Sequence, residues 1–310
     1  MDLNQLTTFI QHIETQLASS PVSVKRLFHG RGRRWPGLEQ LTADWLANQL
    51  IISLFKQPEP LFIRALEAEL TSLTQRENWR NTGATCIAIQ HRYQTNQQLE
   101  VIWGTLEEKP VVDEHGLKFQ LDIGKNQNFG LFPDMSEGRQ WVQQHATGKH
   151  VLNLFAYTCG FSVAAIAGGA ERVVNVDMAK ASLSKGRENH KLNQHDLSRV
   201  QFMGHDIFKS WGKIRKSGPY DLIVIDPPSF QKGSFALTRD YRKILRRMNE
   251  LLADQGSVLA CVNSPVVDCN FLIETMKEEA PFINFQQRLD NPPEFEDIDP
   301  QASLKALVFR

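Results

Sequence analysis

The sequence predicts an α/β fold organised around a mainly parallel sheet. Residues 150–177 have the pattern of a strand, a tight loop, a helix and a second strand. Two more apolar runs, residues 220–225 and 257–262, each have the length of a buried strand and are each followed by proline-containing polar turns. Buried strands that alternate with helical segments are typical of a parallel sheet covered by helices. We therefore expect one α/β domain in this half of the chain.

The first strand, residues 151–155, leads into a loop and then a helix that ends at Gly168 and Gly169. The next strand closes on Asp177, where an acid is positioned to accept hydrogen bonds from ribose hydroxyls. A pyrophosphate site would need several glycines in the loop, whereas this loop has only Gly160. The pattern thus favours a nucleoside cofactor without phosphates, for which S-adenosylmethionine fits. The candidate contacts are Asn153, Phe155, Ala156, Tyr157, Thr158, Gly160 and Asp177.

The strand at residues 220–225 runs into Asp226-Pro227-Pro228-Ser229-Phe230. The two prolines fix φ and remove two backbone donors, so the carbonyl groups around Asp226 are left for a partner other than the sheet. An acid and exposed carbonyls at the end of a central strand are suited to gripping a planar base. We interpret Asp226, Pro227, Pro228 and Phe230 as candidate catalytic residues.

The combination of NLFAYTCGFSVAA with DPPSF, and the upstream LKFQLDIGKNQNFGLFPD, resembles the class I S-adenosylmethionine methyltransferases that modify bacterial large-subunit ribosomal RNA. Known members methylate cytosine at C5 or guanine at N7, and the resemblance runs from about Arg26 to the C-terminus. It implies a Rossmann-like seven-stranded sheet whose last strand is antiparallel. It also implies S-adenosylmethionine as cofactor and ribosomal RNA as substrate, in rRNA processing.

The resemblance also implies further cofactor contacts, namely Phe132, Asp134, Asp206 and Ile207. Asp206 follows a predicted strand, where its carboxylate could accept from the adenine amino group. The chain departs from the family pattern at Ser136, where members usually have an arginine, and the next cation is Arg139. A contact to cofactor or RNA is therefore expected to have moved or been lost.

The target base depends on the end of the strand at residues 257–262. Methylation at C5 of cytosine needs a nucleophile, normally a thiolate, and the C5-specific relatives have a cysteine where this chain has Asn263. Cys261 lies about 6 to 7 Å further back along the strand and is interpreted as core. Guanine N7 needs only in-line positioning, and Asn263 could hold a purine edge, so guanine N7 is favoured. Cytosine C5, a protein or small-molecule substrate, and a non-catalytic RNA-binding or assembly factor stay open.

Two groups of cations are candidate RNA contacts, although the formal net charge is zero. The first lies in KRLFHGRGRR, and the second recurs at helical spacing across residues 238–248. For both groups, solvated surface charge is as good an explanation as contact with RNA. The predicted RNA-binding residues are Arg31, Arg33, Arg34, Arg239, Arg242, Lys243 and Arg246.

The composition, with 41% hydrophobic and 23% charged residues, is that of a soluble enzyme. No apolar run approaches the ~20 residues that span a bilayer, the first residues do not resemble a signal peptide, and the four cysteines lack metal-ligand spacing. We expect a cytoplasmic protein, monomer or homodimer, without a metal. Three regions are predicted: a mainly helical one at 1–75, with helices at 38–55 and 61–73, a small antiparallel β-rich one at 76–135, and the methyltransferase domain at 136–310.

Overall fold

The computed structural model describes residues 1–19, 23–94, 99–124, 127–228 and 236–310. These residues form two compact units. The first comprises Met1–Pro133 and Pro292–Pro300, and the second comprises Asp134–Asn291 and Gln301–Arg310. A short segment near the C-terminus, Pro292–Pro300, thus belongs with the N-terminal unit.

The first unit contains a five-stranded sheet in the order β1-β2-β3-β4-β5 and a separate two-stranded hairpin, β6-β7. Strands β3 and β4 are parallel, and the other neighbours in both sheets are antiparallel. Its helices are α1 (Leu6–Leu17), α2 (Pro60–Leu73) and α3 (Glu77–Arg80). Its strands are β1 (Val24–His29), β2 (Leu41–Leu46), β3 (Gln49–Leu54), β4 (Cys86–His91), β5 (Leu99–Gly104), β6 (Val111–Glu114) and β7 (Leu117–Gln120).

The helix predicted at residues 38–55 is wrong, because this segment forms the hairpin of β2 and β3. The turn between the strands consists of Ala47 and Asn48, whose φ angles are +49° and +63°. Two consecutive positive φ angles match the twist of a tight hairpin. Every residue of both strands is buried. Apolar residues therefore occur on both faces of each strand, and their spacing in the sequence resembles the apolar face of a helix. The sheet therefore begins well before residue 76 and joins β4 and β5 to β1, β2 and β3.

The second unit is a seven-stranded sheet in the order β10-β9-β8-β11-β12-β14-β13. Strands β8 to β12 are parallel to their neighbours within that group, and β14 is antiparallel to both β12 and β13. Its strands are β8 (His150–Leu154), β9 (Arg172–Asp177), β10 (Val200–Gly204), β11 (Tyr220–Ile225), β12 (Leu252–Val262), β13 (Phe285–Arg288) and β14 (Lys305–Phe309). Its helices are α4 (Ser136–His145), α5 (Gly160–Ala167), α6 (Lys180–Leu192), α7 (Trp211–Lys216), α8 (Leu237–Leu245), α9 (Met248–Leu251) and α10 (Cys269–Glu279).

This topology confirms the predicted fold class. Alternate residues of one strand enter different cores: Leu152 and Leu154 pack in one cluster, and Val151 packs in another. Both faces of the sheet are therefore covered, as the uninterrupted apolar strands require. The strand order reverses between β8 and β11, which are neighbours, and such a switch point opens a crevice at the carboxyl ends of the strands.

Within the described residues, no helix has both the length and the apolar character needed to cross a membrane.

Candidate active site

The loop between β8 and α5 has an unusual backbone. Phe155, Tyr157 and Cys159 all have left-handed φ angles, of +58°, +46° and +63°. Side-chain-bearing residues adopt this conformation only at a cost, and such residues cluster where a ligand must be held. The loop is tied down by hydrogen bonds from Ala156 N to Val176 O (3.1 Å) and from Cys159 N to Ala156 O (2.7 Å). Helix α5 then begins at Gly160, one of the predicted cofactor contacts.

Asp177, the predicted ribose acceptor, also holds this loop. Its Oδ2 accepts a hydrogen bond from Tyr157 N (2.9 Å), and its Oδ1 accepts one from Ala179 N (2.7 Å). A carboxylate has about four acceptor positions, so two ribose hydroxyls can still be accommodated. The same side chain thus orders the cofactor loop and presents acceptors at the end of β9.

Helix α6 packs against the loop between β8 and α5. Asn189 donates from Nδ2 to Thr158 O (3.1 Å). A Cβ placed on Gly186 would lie 2.3 Å from Cys159 Sγ, so only glycine permits this close approach of helix and loop. Neither residue was identified from the sequence, because an asparagine and a glycine within a polar helix give no signal of a contact 27 residues or more away.

Asn153, predicted to contact the cofactor, is instead part of a buried polar network. It is only 1% exposed, and its Nδ2 donates to Asn175 Oδ1 (2.9 Å). Asn175 in turn donates to Ser162 Oγ (2.9 Å), which lies 2.9 Å from His190 Nε2. This chain of hydrogen bonds links β8, β9, α5 and α6. The contact predicted between Asn153 and the cofactor stays a prediction, and the structure shows this side chain as a member of the network.

Asp206 follows β10 and caps a short turn, where its Oδ1 accepts from Phe208 N (2.9 Å). Its Oδ2 lies 3.6 Å from Lys209 Nζ, and the carboxylate is partly exposed at the same edge of the sheet as Asp177. Ile207 is buried in the core beneath this turn. The turn therefore offers one acid at the position predicted for the adenine.

The carboxyl ends of β11 and β12 bring together Asp226 and Asn263, and Asn263 Nδ2 donates to Asp134 Oδ2 (2.9 Å). Asp226 is partly buried and Asn263 is exposed. Burial and the charge of Asp134 raise the pKa of Asp226 to about 7, while the charge of Arg139 lowers it. Perturbed carboxylates at a crevice are typical of functional sites.

Arg139 provides the cation that Ser136 does not. Ser136 is the first residue of α4, and Arg139 lies almost one turn later with only 4% of its surface exposed. Its charge acts on Asp226. A buried cation thus lies three residues after Ser136, and a contact that moved along the helix stays a prediction.

The cysteines of this unit are poor nucleophiles where they lie near the site. Cys261 is fully buried, and burial together with the charges of Asp226 and Asp134 raises its pKa well above the ordinary value. Burial likewise raises the pKa of Cys159. Neither thiol is therefore disposed to ionise in this structure.

Four other predicted site residues remain, of which the structure describes three. Pro227 is buried and Pro228 is exposed, directly after Asp226. Phe132 belongs to the first unit, where it is 40% exposed. Phe230, with Ser229, lies outside the described residues.

Most of the predicted RNA-binding cations are engaged in ion pairs. Arg33 Nη2 lies 2.7 Å from Asp297 Oδ1, and Arg34 pairs with Glu296. On α8, Asp240 pairs with Arg239 and Lys243, and Arg242 pairs with Glu278 and Glu279. Arg246, directly after α8, pairs with Glu279. Sequence reasoning missed these pairs, because most of the acids come from α10 and from Pro292–Pro300. Among the predicted cations, Arg31 alone has no carboxylate within ion-pair distance in the described part of the chain.

Comparison with known proteins places this site in a family. The model of the S-adenosylmethionine-dependent methyltransferases matches residues 25–310. Two relatives are named ribosomal RNA large subunit methyltransferase I. The one from Aeromonas salmonicida is 37% identical to this chain over 232 residues, and the one from Aeromonas hydrophila is 37% identical over 233 residues. Each alignment covers 72% of this chain, which spans 57% of the length of either relative.

A solved structure shares the fold. The methyltransferase SMU.776, crystallised with SAH, superposes with a TM-score of 0.84 at 23% identity, covering 100% of this chain and 82% of that one. The left-handed loop at β8, the acids at the ends of β9, β10 and β11, and the match over residues 25–310 agree with one another. The chain belongs to the family of S-adenosylmethionine-dependent methyltransferases.

Proposed function

We propose that this protein methylates a base in large-subunit ribosomal RNA, with N7 of guanine as the favoured atom. The RNA substrate is supported by the names of the relatives, which are ribosomal RNA large subunit methyltransferases. The choice of a nitrogen rests on one observation in this chain. Asn263, hydrogen-bonded to Asp134, stands at the end of β12 where a C5-specific enzyme would need a cysteine.

The cofactor sites fit the proposal residue by residue. Asp177 would accept from the ribose and Asp206 from the adenine, while the left-handed loop from Phe155 to Cys159 would line the remainder of the cofactor. Bound S-adenosylmethionine would supply an electrophilic methyl group on its sulfonium. The task left to the protein is to place an acceptor atom in line with that methyl group.

The polar residues at β11 and β12 suit a purine. Asn263 carries an amide that can both donate and accept, and ionised Asp226 can accept from ring or amino N–H groups of guanine. With S-adenosylmethionine bound, N7 would attack the methyl carbon with its own lone pair, and the electrons of the carbon–sulfur bond would leave with sulfur. No proton needs to be removed, so the described site requires no strong base.

Methylation of cytosine at C5 is the second candidate, because the names of the relatives favour it. That reaction needs a thiolate that adds to C6 of the pyrimidine. Cys261 would have to serve, although it is fully buried with a strongly raised pKa. The placement of this thiol is why we rank the nitrogen target first.

Transfer of labelled methyl from S-adenosylmethionine tests the substrate class. The protein is incubated with ribosomal RNA from a strain that lacks this gene and, separately, with total protein and small-molecule fractions of that strain. We expect label in the RNA, and at least a hundredfold less with Asp226→Ala. Label only in protein or in small molecules would refute an RNA substrate. Cofactor and RNA binding without any transfer would indicate a non-catalytic assembly factor.

A further inference from the structure

The first unit contains a group of three arginines, two of which have no ion-pair partner among the described residues. Arg26 lies on β1, Arg31 on the turn that follows β1, and Arg92 directly after β4. Asp44, whose charge acts on Arg92, is engaged by Arg26 Nε at 2.6 Å. Arg31 and Arg92 therefore face one another's charge without a carboxylate of their own in the described ranges.

Phe55 serves both arginines as a platform. The guanidinium carbon of Arg31 lies 4.6 Å from the centre of the Phe55 ring, and that of Arg92 lies 4.7 Å from it. Stacking fixes the plane of a guanidinium while its N–H edge remains able to donate. The contacts seen at those edges are to neutral acceptors: Arg31 donates to Gln40 Oε1 and Arg92 to Asn128 Oδ1, each at 3.2 Å.

Arg92 also has an unmet donor. Its Nε is buried, and no hydrogen-bond acceptor reaches it among the described residues. Burial and the charges of Arg26 and Arg31 lower the pKa of Arg92, and only Asp44 acts in the opposite direction. Burial and Arg26 likewise lower the pKa of Arg31. A cation whose buried Nε lacks an acceptor, held beside a second cation on the same ring, is an environment that a bound anion would relieve.

We propose that Arg31 and Arg92, both stacked on Phe55, form a binding site for a phosphodiester of the RNA substrate. A guanidinium edge matches two phosphate oxygens, so two such edges held on one ring can grip a single backbone phosphate or two successive ones. Arg33 and Arg34 are neutralised by Asp297 and Glu296 and are not part of the site. The proposal rests on RNA being the substrate.

Binding of a fluorescently labelled single-stranded RNA, followed by anisotropy across a salt series, tests the site in the full chain. The variants are Arg31→Gln, Arg92→Gln and their combination, with Arg64→Gln on the exposed face of α2 as the matched control. We expect the double variant to bind at least tenfold more weakly at low salt. The slope of log affinity against log salt should fall by about 1.5, as for two lost phosphate contacts. The control should match wild type. Arg31 is exposed, so its single variant remains informative if the double variant unfolds.

Each other outcome overturns the proposal in a distinguishable way. If wild type binds RNA and the double variant keeps its affinity and salt slope, the site is wrong while RNA methylation stands. If wild type does not bind RNA at any salt concentration, both proposals fail. If inorganic phosphate raises the melting temperature of wild type alone, yet RNA binding is equal in both proteins, the site holds a free anion and not RNA.

Discussion

Asn263 donates a hydrogen bond from Nδ2 to Oδ2 of Asp134 across 2.9 Å, joining the end of β12 to the residues that precede α4. Because an ionised carboxylate only accepts, this bond fixes the orientation of the Asn263 amide. Asp134 has a second role, since its charge contributes to the raised pKa of Asp226. The residues expected to face the base are therefore coupled electrostatically.

The rate of methyl transfer should depend on the ionisation of Asp226. With a pKa raised to about 7, this acid changes from mostly protonated to mostly ionised between pH 6 and 8, so kcat/KM should rise with pH through that range. Asp134→Asn removes a like charge yet keeps an acceptor for Asn263, so the midpoint should shift to lower pH. A profile whose midpoint is the same in Asp134→Asn and wild type would contradict the coupling.

Arg139→Gln should shift the same profile in the opposite direction. Its positive charge lowers the pKa of Asp226, so its removal should move the midpoint to higher pH. Arg139 is buried, and Arg139→Lys therefore serves as the control that retains charge and some of the packing. If Gln and Lys variants give one midpoint, the charge of Arg139 does not act on the site.

The same acid should make folding depend on pH. The pKa of Asp226 is higher in the folded than in the unfolded state, so its contribution to stability is full at pH below about 4 and is lost as pH rises toward 7. At pH 8, Asp226→Asn should therefore unfold with a free energy up to about 4 kcal/mol larger than wild type, because a rise of about three pKa units is removed, and at pH 4 the gain should vanish. Urea denaturation at both pH values measures this, with the exposed Asp254→Asn as control. Equal gains at the two pH values would contradict the prediction.

Cys261→Ala should remain active. The thiol is fully buried in the core, so its loss should cost about 1 kcal/mol of unfolding free energy, the scale of one buried methylene. Initial rates should stay within about threefold of wild type, since a change of that size is below 1 kcal/mol. A loss of a thousandfold or more, with the fold intact by circular dichroism, would instead assign Cys261 a covalent role.

Gly186→Ala should weaken cofactor binding although residue 186 is not a predicted ligand. The added Cβ would lie 2.3 Å from Cys159 Sγ and 2.7 Å from its Cβ, so the cofactor loop must shift, at a cost of about 1 to 3 kcal/mol. Calorimetric titration with S-adenosylhomocysteine should give an affinity at least fivefold weaker. Gly212→Ala, where the new Cβ meets nothing within 4 Å, should bind like wild type.

The sheet of the second unit was predictable because its strands are short, apolar and punctuated by turn residues. Each of β8 to β12 was located from such a run. The acids at the ends of β9 and β11 followed from the pattern, and the role of the acid after β10 came from the family resemblance as well. The hairpin of β2 and β3 was not, because strands buried on both faces lack alternation. Its turn at Ala47 and Asn48 lacks the glycine that usually marks such a turn.

The side-chain partners of the basic residues come from distant parts of the chain, so no local sequence pattern predicts them. Arg31, Phe55 and Arg92 lie far apart in the sequence, after β1, β3 and β4, and the five-stranded sheet brings them together. The helical spacing of the α8 cations was predicted, but Glu279, which binds Arg246 at 2.5 Å, lies on another helix. Whether a basic residue is available to RNA therefore depends on tertiary partners that the sequence does not place.

The identity of the methylated nucleoside tests the central claim most directly. Ribosomal RNA methylated in vitro with labelled S-adenosylmethionine is digested to nucleosides and separated by chromatography against standards. We expect the label in 7-methylguanosine, in wild type and in Cys261→Ala alike, because Asn263 replaces the thiol that a C5 reaction needs. Label in 5-methylcytidine, abolished by Cys261→Ala, would contradict the nitrogen target and identify the buried thiol as the nucleophile.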